Sequence, residues 1–122
     1  DRKFEKYFSE LKRKKIEIHI RSVFLQGLYF LDTNSLSEKF TSIKEPLKKI
    51  EQLCDENFIN KLDLCLAYVS NNSLVDYIVI GVQNKEQLIQ IIRSKSKLPK
   101  TLMKEVSSIQ IKDSKMLNPT KW

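Results

Sequence analysis

Two polar stretches that each close an apolar segment carry the chemistry this chain can do. Arg21-Ser22-Val23-Phe24-Leu25-Gln26-Gly27 follows one strand-like run; Gly81-Val82-Gln83-Asn84-Lys85-Glu86-Gln87-Leu88 ends another and then opens a helix. Backbone N–H groups at a strand-to-helix passage, with the positive helix end behind them, suit an anion such as a cofactor phosphate. The inventory for acid–base work is thinner. His19 is the single histidine, set between Ile18 and Ile20 and sharing a strand face with Glu17 and Arg21. A histidine so placed reads as an interior polar residue bonded to Glu17 or Arg21 rather than as a catalytic acid. Tyr7, Tyr29, Tyr68 and Tyr77 fall at apolar positions, as core or rim residues do; Tyr29, just past the first polar stretch, is also a candidate for lining a substrate pocket. Cys54 and Cys65 sit among leucines at helical spacing, with no Cys-x-x-Cys pair and no neighbouring histidine, so buried reduced thiols are expected and a metal site is not.

The elements that position these residues follow from periodicity. Phe4, Tyr7, Phe8 and Leu11 predict an amphipathic helix over residues 3–14. Residues 16–21 alternate with period two, isoleucine on one face and Glu17, His19 and Arg21 on the other; the isoleucine face should meet helices and the polar face an interior layer. Ser35 is a cap for a short segment ending at Phe40, and Pro46 suits the first turn of a helix that buries Leu47, Ile50, Leu53 and Cys54. Asn60 caps the next helix, with Asp63 in its first turn and Leu62, Cys65, Leu66 and Val69 inward. Asn71-Asn72-Ser73 is a turn. Residues 75–82 are nearly continuous apolar, which predicts a strand covered on both faces. Asn84 caps a helix whose apolar side is Leu88, Ile91 and Ile92; one more helix follows Pro99, and Ile109-Gln110-Ile111 has weak β character. Alternation of this kind predicts parallel strands joined by crossover helices. Two strands alone leave both outer edges unpaired, so the sequence reads as part of a larger sheet.

With 122 residues, 41% hydrophobic and 30% charged, the chain reads as a single globular segment over residues 1–122. Its net charge of +7 raises nucleic acid as a partner, but the lysines are scattered. The densest cluster, Lys12-Arg13-Lys14-Lys15, ends a helix, as do Lys95, Lys97 and Lys100, where cations meet the helix dipole favourably. A solvated basic surface is therefore expected, with no nucleic-acid partner. No apolar run approaches the ~20 residues that span a bilayer. Asp1-Arg2-Lys3-Phe4 carries no apolar signal region, so a cytoplasmic location without a membrane partner is expected.

Taken in order, Ile16–Gly27, Leu64-Cys65-Leu66-Ala67-Tyr68-Val69, Gly81–Leu88 and the ending Leu117-Asn118-Pro119-Thr120-Lys121-Trp122 resemble the C-terminal half of an aldo-keto reductase, the ending being similar to that of a bacterial subgroup often linked to sugar biosynthesis. The resemblance implies an α/β fold: part of a (β/α)8 TIM barrel, roughly its last three helices and last two strands, not a complete barrel alone. It implies NADP or NAD as cofactor, held through Arg21, Ser22, Phe24, Gln26, Gly27, Gly81, Gln83 and Gln87. The pyrophosphate would lie near Ser22 and Phe24, and the adenosine near Gln83 and Gln87. Arg21 stands where the family places an aromatic ring under the nicotinamide, and Gln83 where it often has a serine or a cation for the 2′-phosphate; the choice of NAD or NADP stays open. Tyr29 and Trp122 are the candidates to face substrate, although anchoring of the tail is the preferred reading of Trp122. The family's catalytic Asp, Tyr, Lys and His have no counterpart here. The implied molecule is the cofactor-binding portion of an NAD(P)H-dependent oxidoreductase, inactive until an N-terminal barrel half completes it. The alternative is a non-catalytic half barrel that associates with a second copy or another polypeptide.

Overall fold

The computed structural model describes residues 2–94 and 97–122, so Lys95 lies outside the described residues. A 3-10 turn at Glu5–Tyr7 runs into helix α1 (Phe8–Arg13), which turns Phe8 into the protein. The helix stops in a Schellman arrangement. Lys15 N–H donates to Lys12 O at 2.9 Å, Ile16 N–H to Leu11 O at 3.0 Å, and Lys15 takes a left-handed φ of 59°. Strand β1 (His19–Arg21) follows. Helices α2 (Thr41–Glu56) and α3 (Lys61–Ser70) then cross over to strand β2 (Tyr77–Val79), and α4 (Lys85–Arg93) and α5 (Lys100–Ser108) complete the helical layer. The tail ends in 3-10 turns at Ser114–Leu117 and Pro119–Lys121.

β1 and β2 pair in parallel, with His19 opposite Tyr77, Ile20 opposite Ile78 and Arg21 opposite Val79. The expected fold class is met at the coarse level: helices with a parallel strand pair joined by a helical crossover. Both strands are shorter than the apolar runs that predict them, because each has a partner on one side only among the described residues. Asp76 fastens the start of the ladder. Its Oδ2 accepts Ile18 N–H at 2.7 Å and its Oδ1 accepts Lys12 Nζ at 2.5 Å, tying both strands to α1.

One face of the strand pair is packed: Ile18 is buried, Ile20 and Ile78 half-buried. The other face is open, and the expectation that 75–82 is covered on both sides is corrected. Tyr77 and Val79 are 54% and 53% exposed, and Val82 is exposed as well, because no layer lies over them among the described residues. The same holds for α4. Its apolar side exists, but none of its residues is buried, and Leu88 and Ile92 face solvent.

The core lies instead around α2. Leu28, Leu36, Phe40, Ile43 and Leu47 form one cluster; Ile50, Cys54, Leu64, Leu102 and Met103 form another, and Tyr29 packs against both. Leu64, absent from the expected stripe of α3, is fully buried, while Leu62 and Val69 are only half-buried. Three further expectations change. α2 starts at Thr41, so Pro46 lies inside it rather than in its first turn, removing the N–H that would reach Ser42 O. Ser35 caps no helix; its hydroxyl donates to Asp32 O at 2.9 Å within a turn. Residues 109–111 form no strand, and Ile109 and Ile111 pack onto the two clusters.

Candidate functional site at the strand ends

The parallel register sets the geometry. Arg21 and Val79 are paired, so Ser22–Gly27 and Gly81–Gln83 leave adjoining strands at the same, carboxyl-terminal end. In open α/β sheets this is the side where ligands are commonly held.

The loop after β1 is tightly wound. Ser22 (φ 60°), Leu25 (φ 47°), Gln26 (φ 53°) and Gly27 (φ 85°) are all left-handed. Leu25 N–H donates to Ser22 O at 3.0 Å and Gly27 N–H to Phe24 O at 2.9 Å, which holds two successive turns. Leu25 roots the loop in the core, and the Phe24 ring lies 5.2 Å from that of Phe30. Ser22, Gln26 and Arg21 are exposed. Non-glycine residues in this region cost of order 1 kcal/mol each, and such strain gathers where geometry is set by function.

The loop after β2 is organised by the start of α4. Asn84 Oδ1 accepts Gln87 N–H at 2.9 Å, and Gln87 Oε1 accepts Gln83 N–H at 2.8 Å. This reciprocal pair resembles a capping box reaching one residue further back. Gln83 and Gln87 are thus brought together, with the Gln87 carbonyl oxygen already engaged in the cap.

The distribution of glycine is informative. Only two occur in 122 residues, Gly27 and Gly81, one in each loop. The position just past a helix, where glycine is usual, holds Lys15 after α1 and Phe58 after α2, both left-handed. At Gly27 the φ of 85° requires glycine. At Gly81 neither φ nor crowding does: a Cβ there would meet nothing within 4 Å.

The remaining candidates sit elsewhere. Tyr29 is half-buried and packs against both core clusters; burial, and then the neighbouring Cys65, push the phenol far above its ordinary range. Burial also raises Cys65 to about 12 and Cys54 to about 11, so both stay protonated thiols, as expected. Trp122 anchors the tail: its ring meets Phe40 edge-on at 5.1 Å and its Nε1–H donates to Met116 O at 3.3 Å. His19 Nε2 lies 3.0 Å from Glu17 Oε2, and its ring lies 4.8 Å from Tyr77. It is exposed, on the open face rather than in an interior layer. Among the described residues no cluster of three His, Cys, Asp or Glu could hold a metal.

Two grooves of about 310 and 520 Å³ run beside α2, sharing Lys49, Ser108 and Ile109, and neither is lined by the strand-end loops. Sequence reasoning missed the Asp76 clamp; its signal was a lone carboxylate at the head of an apolar run. No helix among the described residues is long and apolar enough to cross a membrane. No family model matches the chain, and no curated protein or solved structure matches it.

Proposed function

We propose that the chain is the cofactor-side portion of an NAD(P)H-dependent oxidoreductase of aldo-keto reductase type, holding dinucleotide phosphate between the loops Ser22–Gly27 and Gly81–Gln87. The observation that carries this reading is the placement of the two glycines. The protein does without glycine at its helix ends and has one in each of the segments that follow the two paired strands. Gly81 is not needed by the fold, which is what an approaching ligand requires of a backbone position. Arg21 supplies a cation beside the first loop and Ser22 a hydroxyl. In this reading the segment belongs to a (β/α)8 barrel, and Tyr29 supports the loop from the core. Among the described residues no acid–base group is assembled at the strand ends, and in this reading the proton donor for a carbonyl comes from the other barrel half.

Titration of the chain with NADPH and NADH, read by nicotinamide fluorescence, tests the proposal. Saturable binding is expected, weakened about tenfold or more in Gly81→Val, whose melting temperature stays that of the parent because the site is open. Failure of both nucleotides to saturate defeats it. A second reading, a non-catalytic partner-binding half barrel, is favoured by one observation: Tyr77 and Val79 on the open face of the strand pair are exposed, as are Val82, Leu88 and Ile92 after it.

A further inference from the structure

We infer that the trough between α2 and residues 105–113 receives an extended peptide from another polypeptide, with apolar side chains on its floor and lysine or arginine toward Glu56 and Glu105. This goes beyond cofactor binding and does not depend on it. The two grooves beside α2 meet at Lys49, Ser108 and Ile109, so they form one trough. One wall is a stripe of α2 from Ser42 to Glu56, a rise of about 21 Å that about six extended residues span. The floor holds the half-buried Pro46, Leu53 and Ile109, and exposed charged groups form the rim. The other wall gives the reason for an extended ligand. Ile109 and Ile111 pack onto the two core clusters while Gln110 and Lys112 are exposed, the alternation of a strand. Yet no backbone group from the Gln110 N–H to the Lys112 carbonyl has a hydrogen-bond partner among the described residues. Groups of this kind are what a peptide pairs with in strand-addition complexes.

Charge selects the peptide. The chain as a whole carries +7, but the trough is lined by four carboxylates, Glu45, Glu56, Glu105 and Asp113, against the two ammonium groups of Lys49 and Lys112. Two of the four are engaged: Glu45 Oε1 lies 3.8 Å from Lys48 Nζ, and Asp113 Oδ1 accepts Lys115 N–H at 3.0 Å. Glu56 and Glu105 line the same half of the trough and have no ion pair among the described residues; Glu56 Oε1 accepts a hydrogen bond from Gln52 Nε2 at 2.7 Å. A guanidinium or ammonium brought there meets two exposed carboxylates, and an acidic side chain meets repulsion. A second copy brings +7 against +7, which long-range repulsion opposes.

The test is binding and amide hydrogen exchange on the full chain with three probes: a peptide of about eight residues alternating valine and arginine, its valine–glutamate counterpart, and spermidine as a polycation without a peptide backbone. The valine–arginine peptide should bind saturably and slow exchange at residues 110–112 by about tenfold or more, with little effect of the other two probes. Combining Glu56→Gln with Glu105→Gln should weaken that peptide about tenfold or more while the melting temperature holds, because both side chains are exposed. Glu86→Gln, exposed on α4 and outside the trough, should leave binding unchanged. Equal or tighter binding of the glutamate peptide or of spermidine overturns the inference. So does protection at the strand pair instead of residues 110–112, full affinity in the double glutamine variant, or a dimer of the chain that this variant abolishes. Failure of the valine–arginine peptide to saturate does so too. None of these outcomes depends on NADPH.

Discussion

At the scale of single residues, two positions show conformation and charge set against each other. Phe58 ends α2 in a left-handed turn, with its N–H on Asp55 O and the next N–H on Cys54 O, yet its ring is 94% exposed. The strain is offset by nothing the ring touches. Phe58→Gly should therefore raise stability by about 1 kcal/mol and the melting temperature by about 4 °C, read by thermal denaturation. Asp76 has the opposite character. The Lys12 ammonium, and then the Ile18 N–H, hold its carboxyl below the ordinary 3.8. A depressed folded-state value means the stabilisation is complete above the unfolded value and lost as pH falls through the folded one. Wild type should exceed Asp76→Asn in urea midpoint at neutral pH, and the gap should close as pH falls below the ordinary 3.8. A gap that persists in acid would remove Lys12–Asp76 as its cause.

At the scale of elements, what was legible in the chain is what local chemistry decides. Asn60 caps α3 by accepting Asp63 N–H at 2.7 Å, Asn84 caps α4, and the parity of Ile18 and Ile20 turns them inward. These depend on groups a few residues apart. Burial does not, and there the pattern misled. Leu88 and Ile92 have helical spacing, but an apolar stripe is buried only if another layer meets it; Ile92 is 73% exposed. Leu64, off the stripe expected for α3, is 0% exposed because α2 and α5 converge on it. Leu64→Ala should cost about 3 kcal/mol in denaturant unfolding. Ile92→Glu should change stability by no more than about 0.5 kcal/mol if the outer side of α4 is uncovered in solution. The candidate site was legible to the same degree: the loops and their shared end followed from the run of residues, whereas the packing of Tyr29 against both clusters and the anchoring of Trp122 needed the packed core.

At the scale of the molecule, a core gathered around α2 coexists with a sheet of two strands whose second face is bare. The core explains how the chain holds a shape; the bare face and the two strand-end loops, the first of them strained, are what that shape leaves exposed. A basic surface of net charge +7 suits an anionic cofactor, and salt should weaken its binding. The most direct test of the central claim is amide hydrogen exchange on the chain with and without NADPH or NADH. Slowed exchange confined to Ser22–Gly27 and Gly81–Gln87 is the expected result. Protection along the grooves beside α2, or none anywhere at saturating nucleotide, would contradict it.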